Sequence, residues 1–141
     1  MKHLVIIGAG GYGREMFGAA LESVGFGTAF DVRGYLDARS DALADFKGYP
    51  PVIGSPETYE PEADDVFITA LGSIASRRRC VELVKARGGT FVSIVHRTAV
   101  IERIGRRRLV RRAARHADGG CLRRPARRRL PQHVRRARRR P

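Results

Sequence analysis

Cysteine is scarce in this chain: there are two in 141 residues, Cys80 and Cys121. Two are too few for a disulfide framework and too far apart in sequence to begin a metal site. Long apolar runs are also missing, and none approaches the roughly 20 residues of a membrane span. Met1-Lys2-His3-Leu4-Val5-Ile6-Ile7 is too short for a signal peptide and leads straight into a glycine turn, so a cytoplasmic protein is expected. Acid is almost absent from one end. Residues 106 to 141 hold 16 Arg, no Lys and one acid, Asp118, a net charge of +15, whereas residues 1 to 105 hold 12 Lys plus Arg against 13 Asp plus Glu, a net charge of −1. The overall +14 is therefore the average of a near-neutral body and an extremely basic tail, and by itself does not make the body a nucleic-acid binder.

What is present first is Leu4-Val5-Ile6-Ile7-Gly8-Ala9-Gly10-Gly11-Tyr12-Gly13-Arg14-Glu15. A short Val/Ile run bounded by glycine reads as a buried parallel strand, His3 to Ile7. The glycines allow a sharp turn and close approach of a ligand. The helix that follows, Tyr12 to about Val24, would then start with its free N–H groups facing that ligand, where anions are favoured. Met16, Phe17, Ala20, Leu21 and Val24 form its apolar stripe, Glu15 lies near its start, and Gly25 and Gly27 stop it.

Ala29 to Leu36 is the second strand, and Asp37 stands where a βαβ unit presents an acid at the carboxyl end of its second strand. Val52-Ile53-Gly54 is a short third strand. Ser55-Pro56-Glu57 has the pattern of an N-cap with Pro at the first helical position, which predicts a brief helix. Val66 to Leu71 is the fourth strand and ends at Gly72. Ser73 to Arg87 is a helix with Cys80, Leu83 and Val84 on one face and Arg77, Arg78 and Lys85 free to point to water; Thr90 to Val95 is the fifth strand. The alternation predicts an α/β fold, a small Rossmann-like parallel sheet covered on both faces. In His96-Arg97-Thr98-Ala99-Val100-Ile101-Glu102-Arg103-Ile104-Gly105, the spacing of Val100 and Ile104-Gly105 is that of the start of a hexapeptide-repeat β-helix. Beyond Gly105 no apolar period survives, so residues 106–141 are expected to be a disordered, low-complexity tail.

Val5-Ile6-Ile7-Gly8-Ala9-Gly10-Gly11-Tyr12-Gly13-Arg14-Glu15, Gly34-Tyr35-Leu36-Asp37 and Val66-Phe67-Ile68-Thr69-Ala70-Leu71-Gly72, taken with Gly48-Tyr49-Pro50-Pro51-Val52-Ile53-Gly54 and Val95-His96-Arg97-Thr98-Ala99-Val100-Ile101, resemble the N-terminal half of a sugar O- or N-acetyltransferase. The relatives are the sialic acid O-acetyltransferases and the acetyltransferases of UDP-linked 4-amino sugars in bacillosamine synthesis. The resemblance covers about residues 1 to 105. It implies a nucleotide-sugar-binding domain over residues 1–95, then a left-handed β-helix that assembles a homotrimer and binds acetyl-CoA between neighbours. It also implies that Gly8, Gly10, Gly11, Tyr12 and Gly13 line a UDP-sugar or similar nucleotide sugar, that Asp37 hydrogen-bonds its uracil or ribose, and that Gly72 sits against it.

The departure from that family is severe. Its catalytic histidine lies several coils further on, and this chain has at most one coil, residues 96–105. His116 and His133 lack the flanking repeat that would aim them, so no catalytic residue is assigned, and no metal ligand either. Sixteen Arg without Lys is odd for a phosphate-binding tail, while Arg, Ala, Pro and Gly share GC-rich codons. The tail therefore reads as a slipped frame beginning near Gly105, with a genuine nucleic-acid-binding tail as the rival.

Three functions are open at this point. The first is the nucleotide-sugar-binding part of an acetyl-CoA-dependent acetyltransferase, inactive as it stands and monomeric without its β-helix. The second is an NAD(P)-binding domain, since Gly8, Gly10 and Gly13 satisfy the G-x-G-x-x-G spacing with Asp37 at a ribose-binding distance. The third is non-specific nucleic-acid binding through the tail. Plain packing roles compete at several positions: His3 and His96 as structural side chains, Cys80 as a small core residue, and Arg77, Arg78 and Arg79 as a solvated face.

Overall fold

Four consecutive residues, Leu4 to Ile7, are completely shielded from solvent, which requires cover on both faces of their strand. The computed structural model describes residues 1–101. In it β1 (Lys2–Ile7) is the central strand of five, flanked by β2 (Phe30–Leu36) and β4 (Asp65–Thr69), with β3 (Val52–Gly54) and β5 (Thr90–Phe91) at the edges. All pairings are parallel and the order is β3-β2-β1-β4-β5. This is the Rossmann-like α/β sheet that the alternation predicts. Two helices complete it, α1 (Gly11–Leu21) and α2 (Ile74–Ala86). Residues 102–141, which include the last four residues of the expected β-helix start and the whole Arg-rich tail, lie outside the described residues. Among those described, no helix is long and apolar enough to cross a membrane.

The alternation of side chains along β1 divides the core in two. Leu4 and Ile6 join Tyr35, Val66 and Ile68 beneath Ala20, Met16 and Phe17 of α1. Val5 and Ile7 join Leu36 and Phe67 beneath Cys80 and Val84 of α2. Each such aliphatic side chain contributes roughly 1.5–3 kcal/mol on burial, an upper bound given a compact unfolded chain. The connection from β2 to β3 packs on the α1 side: Ala42, Leu43 and Tyr49 lie against the core, and the rings of Phe17 and Tyr49 stand 5.5 Å apart.

Several boundaries differ from the sequence reading. Helix α1 stops at Leu21, so Val24 falls outside the stripe and is exposed, while Ser23 turns inward and donates its hydroxyl to the carbonyl of Ala19 at 2.6 Å. Because the helix begins at Gly11, Glu15 lies beyond its first turn, which carries no acid. The brief helix after Ser55 is only a turn, with Thr58 and Tyr59 N–H donating to Ser55 O. Tyr59 must swing inward to meet Phe67, ring centroids 6.2 Å apart, and Pro61 follows too soon for a helix to continue. Strand β5 covers two residues rather than six. After Val92 N–H donates to Phe67 O, the chain leaves the sheet so that Val92 and Ile94 can pack on the α1-side core. Val95 O then accepts from Val24 N–H, and Arg97 reaches the last carbonyls of α1, with Nη2 at 3.4 Å from Leu21 O and Nε at 3.3 Å from Glu22 O. A cation at this end complements the helix dipole.

Candidate functional site

The strand order reverses direction at β1: β2 and β3 extend to one side of it, β4 and β5 to the other. In open parallel sheets the crevice at such a switch point, outside the carboxyl ends of the strands, is where ligands bind. Here those ends carry Gly8 to Gly13, Asp37 and Ala70 to Gly72. The main chain stitches them together: Gly8 N–H donates to Leu36 O at 2.8 Å, and Ala70 N–H donates to Ile7 O at 2.8 Å.

The glycines separate into two kinds. Gly8 has φ +105°, and a Cβ there would lie 2.9 Å from the carbonyl oxygen of Ala70. At Gly13 a Cβ would lie 2.0 Å from the carbonyl oxygen of Gly8, so only glycine lets α1 descend onto the end of β1. These two are demanded by the fold. Gly10 and Gly72 have no atom within 4 Å of the place a Cβ would take, and Gly11 has only the tip of the Arg14 side chain, 4.0 Å away. Packing does not require glycine there, and the space beside them is open.

Gly10 is the N-cap of α1, and no side chain caps this end. With no acid in the first turn either, the leading amides of the helix have no side-chain partner from α1 itself, at the end where its dipole is positive. By contrast α2 is capped, Ser73 Oγ accepting from Ser76 N–H at 3.3 Å. Tyr12, second in α1, is exposed.

Asp37 lies beside the loop. Its Oδ2 accepts the N–H of Ala9 at 2.8 Å and its Oδ1 accepts the N–H of Arg39 at 3.0 Å. The carboxylate therefore ties the end of β2 to the glycine turn, a bond that spans 28 residues of sequence. Tyr35 makes a second tie, its hydroxyl 3.4 Å from Gly13 O in a fully buried position. Burial pushes that phenol up to about 12.

Of the other residues weighed from sequence, Arg77, Arg78 and Arg79 are all exposed, and Arg77 turns back to donate to Leu71 O at 2.8 Å. His3 sits 2.7 Å from Asp31 Oδ1 near the amino ends of β1 and β2, at the other end of the strands from the glycine turn. His96 Nδ1 lies 3.2 Å from the N–H of Thr98 and braces a turn. Cys80 is buried and its thiol is pushed up, chiefly by that burial. No group of three His, Cys, Asp or Glu that could hold a metal occurs among the described residues. Sequence reasoning passed over Arg14, whose guanidinium lies 3.7 Å over the ring of Phe46. The signal was available, since a residue three after Gly11 on a helix covers the first turn.

A family model described as the PglD N-terminal domain matches residues 3–84, more than half of the chain. No curated protein matches it.

Proposed function

Since the chain belongs to the PglD N-terminal domain family, we propose that residues 1–95 hold a nucleotide sugar, of the UDP-linked amino-sugar class, as the substrate-binding part of an acetyl-CoA-dependent sugar acetyltransferase. The observation that carries this reading is the uncapped start of α1 at the switch point, bordered by Gly10, Gly11 and Gly72, whose surroundings are open. In this reading the amides of Gly11, Tyr12 and Gly13 meet the diphosphate. Gly8 shapes the loop from beneath, and the exposed ring of Tyr12 lies at the rim.

Asp37 takes two tasks. It holds Ala9 in place through Oδ2, and the remaining lone pairs of its carboxylate receive a hydroxyl or imide N–H of the ligand. Because both oxygens already accept main-chain N–H groups, a ligand contact here is shared rather than exclusive.

Acetyl-CoA would supply the acetyl thioester. The described residues contain no β-helix coil to hold it, and no step of acetyl transfer is assigned to them. We expect binding of the sugar nucleotide without acetyl transfer, because the hexapeptide pattern stops near Gly105. Calorimetric titration of the full chain with a UDP-amino sugar, NAD and a short RNA separates the readings. Selective binding of the UDP-sugar supports this one, and preference for NAD replaces it with a dinucleotide site. Binding of RNA alone points to the tail. Turnover with acetyl-CoA would overturn the expectation of inactivity.

A further inference from the structure

Arg14 occupies an electrostatically unfavourable position. It belongs to the second turn of a helix whose first turn has no acid, and helical side chains lean toward the N-terminus. Its guanidinium accordingly reaches back until Nη2 is 4.0 Å from the place a Gly11 Cβ would occupy. A cation is disfavoured at this positive end of the dipole. No compensating carboxylate is supplied: among the described residues Arg14 forms no ion pair, although Asp41 and Asp45 belong to the connection that packs over α1. What holds it is the ring of Phe46, 3.7 Å from the guanidinium carbon. Stacking uses the flat face of the group and leaves its in-plane N–H donors unused.

We propose that Arg14 is a ligand-binding residue whose guanidinium meets the diphosphate beside the amides of α1, and that Phe46 is a positioning residue that holds it ready. The inference rests on the nucleotide-sugar reading and assigns this charge a task in it. Dipole and guanidinium repel each other in the free protein, and an anion placed between them is attracted by both. Phe46 in turn is fixed by the connection carrying Ala42, Leu43 and Tyr49 on the core, so the fold itself sets the guanidinium in place and less freedom is lost on binding.

The test compares UDP with uridine on the full chain, titrated by NMR, in wild type, Arg14→Gln, Phe46→Leu and the double variant. Losing a charge-assisted contact should weaken UDP about tenfold in Arg14→Gln and flatten its dependence on salt. Uridine, which lacks phosphate, should bind within about twofold of wild type, which also reports an intact fold. Phe46→Leu should weaken UDP about threefold, and only when Arg14 is present, so the double variant should match Arg14→Gln alone. Equal losses for UDP and uridine, or no loss for either, would overturn the inference while leaving the nucleotide-sugar reading intact. If wild type bound neither probe, both would fall.

Discussion

At the scale of single residues, the glycine cluster contains two different physical problems that look alike in sequence. Gly8 and Gly13 solve a packing problem, and Gly10 and Gly11 do not. Gly13→Ala forces a methyl to 2.0 Å from the Gly8 carbonyl, and we expect a loss of about 3 kcal/mol or more in urea unfolding, with the site lost alongside. Gly10→Ala, at φ −72° and with open surroundings, should change stability by less than about 1 kcal/mol yet weaken UDP-sugar binding, because the methyl takes space the ligand needs. If Gly10→Ala leaves affinity untouched, the open side is not where the ligand lies. Asp37→Ala strands the buried N–H of Ala9 and should cost about 1–3 kcal/mol. Asp37→Asn keeps an oxygen for Ala9 and should cost less, and comparing their urea midpoints isolates that bond.

At the scale of elements, β1, β3 and the order of strands and helices were legible because apolar runs bounded by glycine or proline carry their own punctuation. Ends were less legible. The length of β5 depends on where Val92 and Ile94 find apolar cover, and the end of α1 depends on Arg97, distant in sequence. The least legible feature was polar. Val32 pairs with Leu4 and Gly34 with Val5, so Arg33 bulges from β2. Its Nη1 lies 2.7 Å from Glu62 Oε1 and 3.1 Å from buried Asp65 Oδ1, though without hydrogen-bond geometry to the latter. Asp65 Oδ2 accepts from Tyr59 Oη at 2.8 Å and from Glu62 N–H at 2.9 Å. Nothing in the spacing of these residues announces the network, which clips the β3–β4 connection to the sheet. Asp65→Ala should cost about 2–3 kcal/mol, seen as a lower urea midpoint.

Tyr35 joins β2 to α1 in a way that alkali should reveal. Its phenol titrates at about 12 when folded against 10.0 as the ordinary value, so the unfolded chain gives up this proton first as pH rises. The contribution is complete below pH 10 and is lost between 10 and about 12, amounting to roughly 2–3 kcal/mol. Urea unfolding of wild type and Tyr35→Phe across that window checks it: the variant should lack this component of the decline.

At the scale of the whole chain, charge separates what composition averages. Residues 1 to 105 are near neutral at −1 and residues 106 to 141 carry +15. Any affinity for RNA should therefore fall steeply with salt and vanish when residues 106–141 are removed, while affinity for a UDP-sugar should persist. Sequencing the coding DNA past the Gly105 codon decides whether that charge was selected or is the by-product of a shifted frame. Hexapeptide repeats in neither alternative frame would dispose of the second explanation.

The contact of Gly13 with the Gly8 carbonyl leaves the glycine turn no slack. The amides of Gly8 and Ala9 are moreover committed to Leu36 O and Asp37 Oδ2. Their deuterium uptake should follow global unfolding rather than local fraying. A receptor already rigid where it touches its guest has little motion left to surrender, so docking should proceed in one kinetic phase, its rate rising in proportion to ligand concentration without a plateau from a slower closing step.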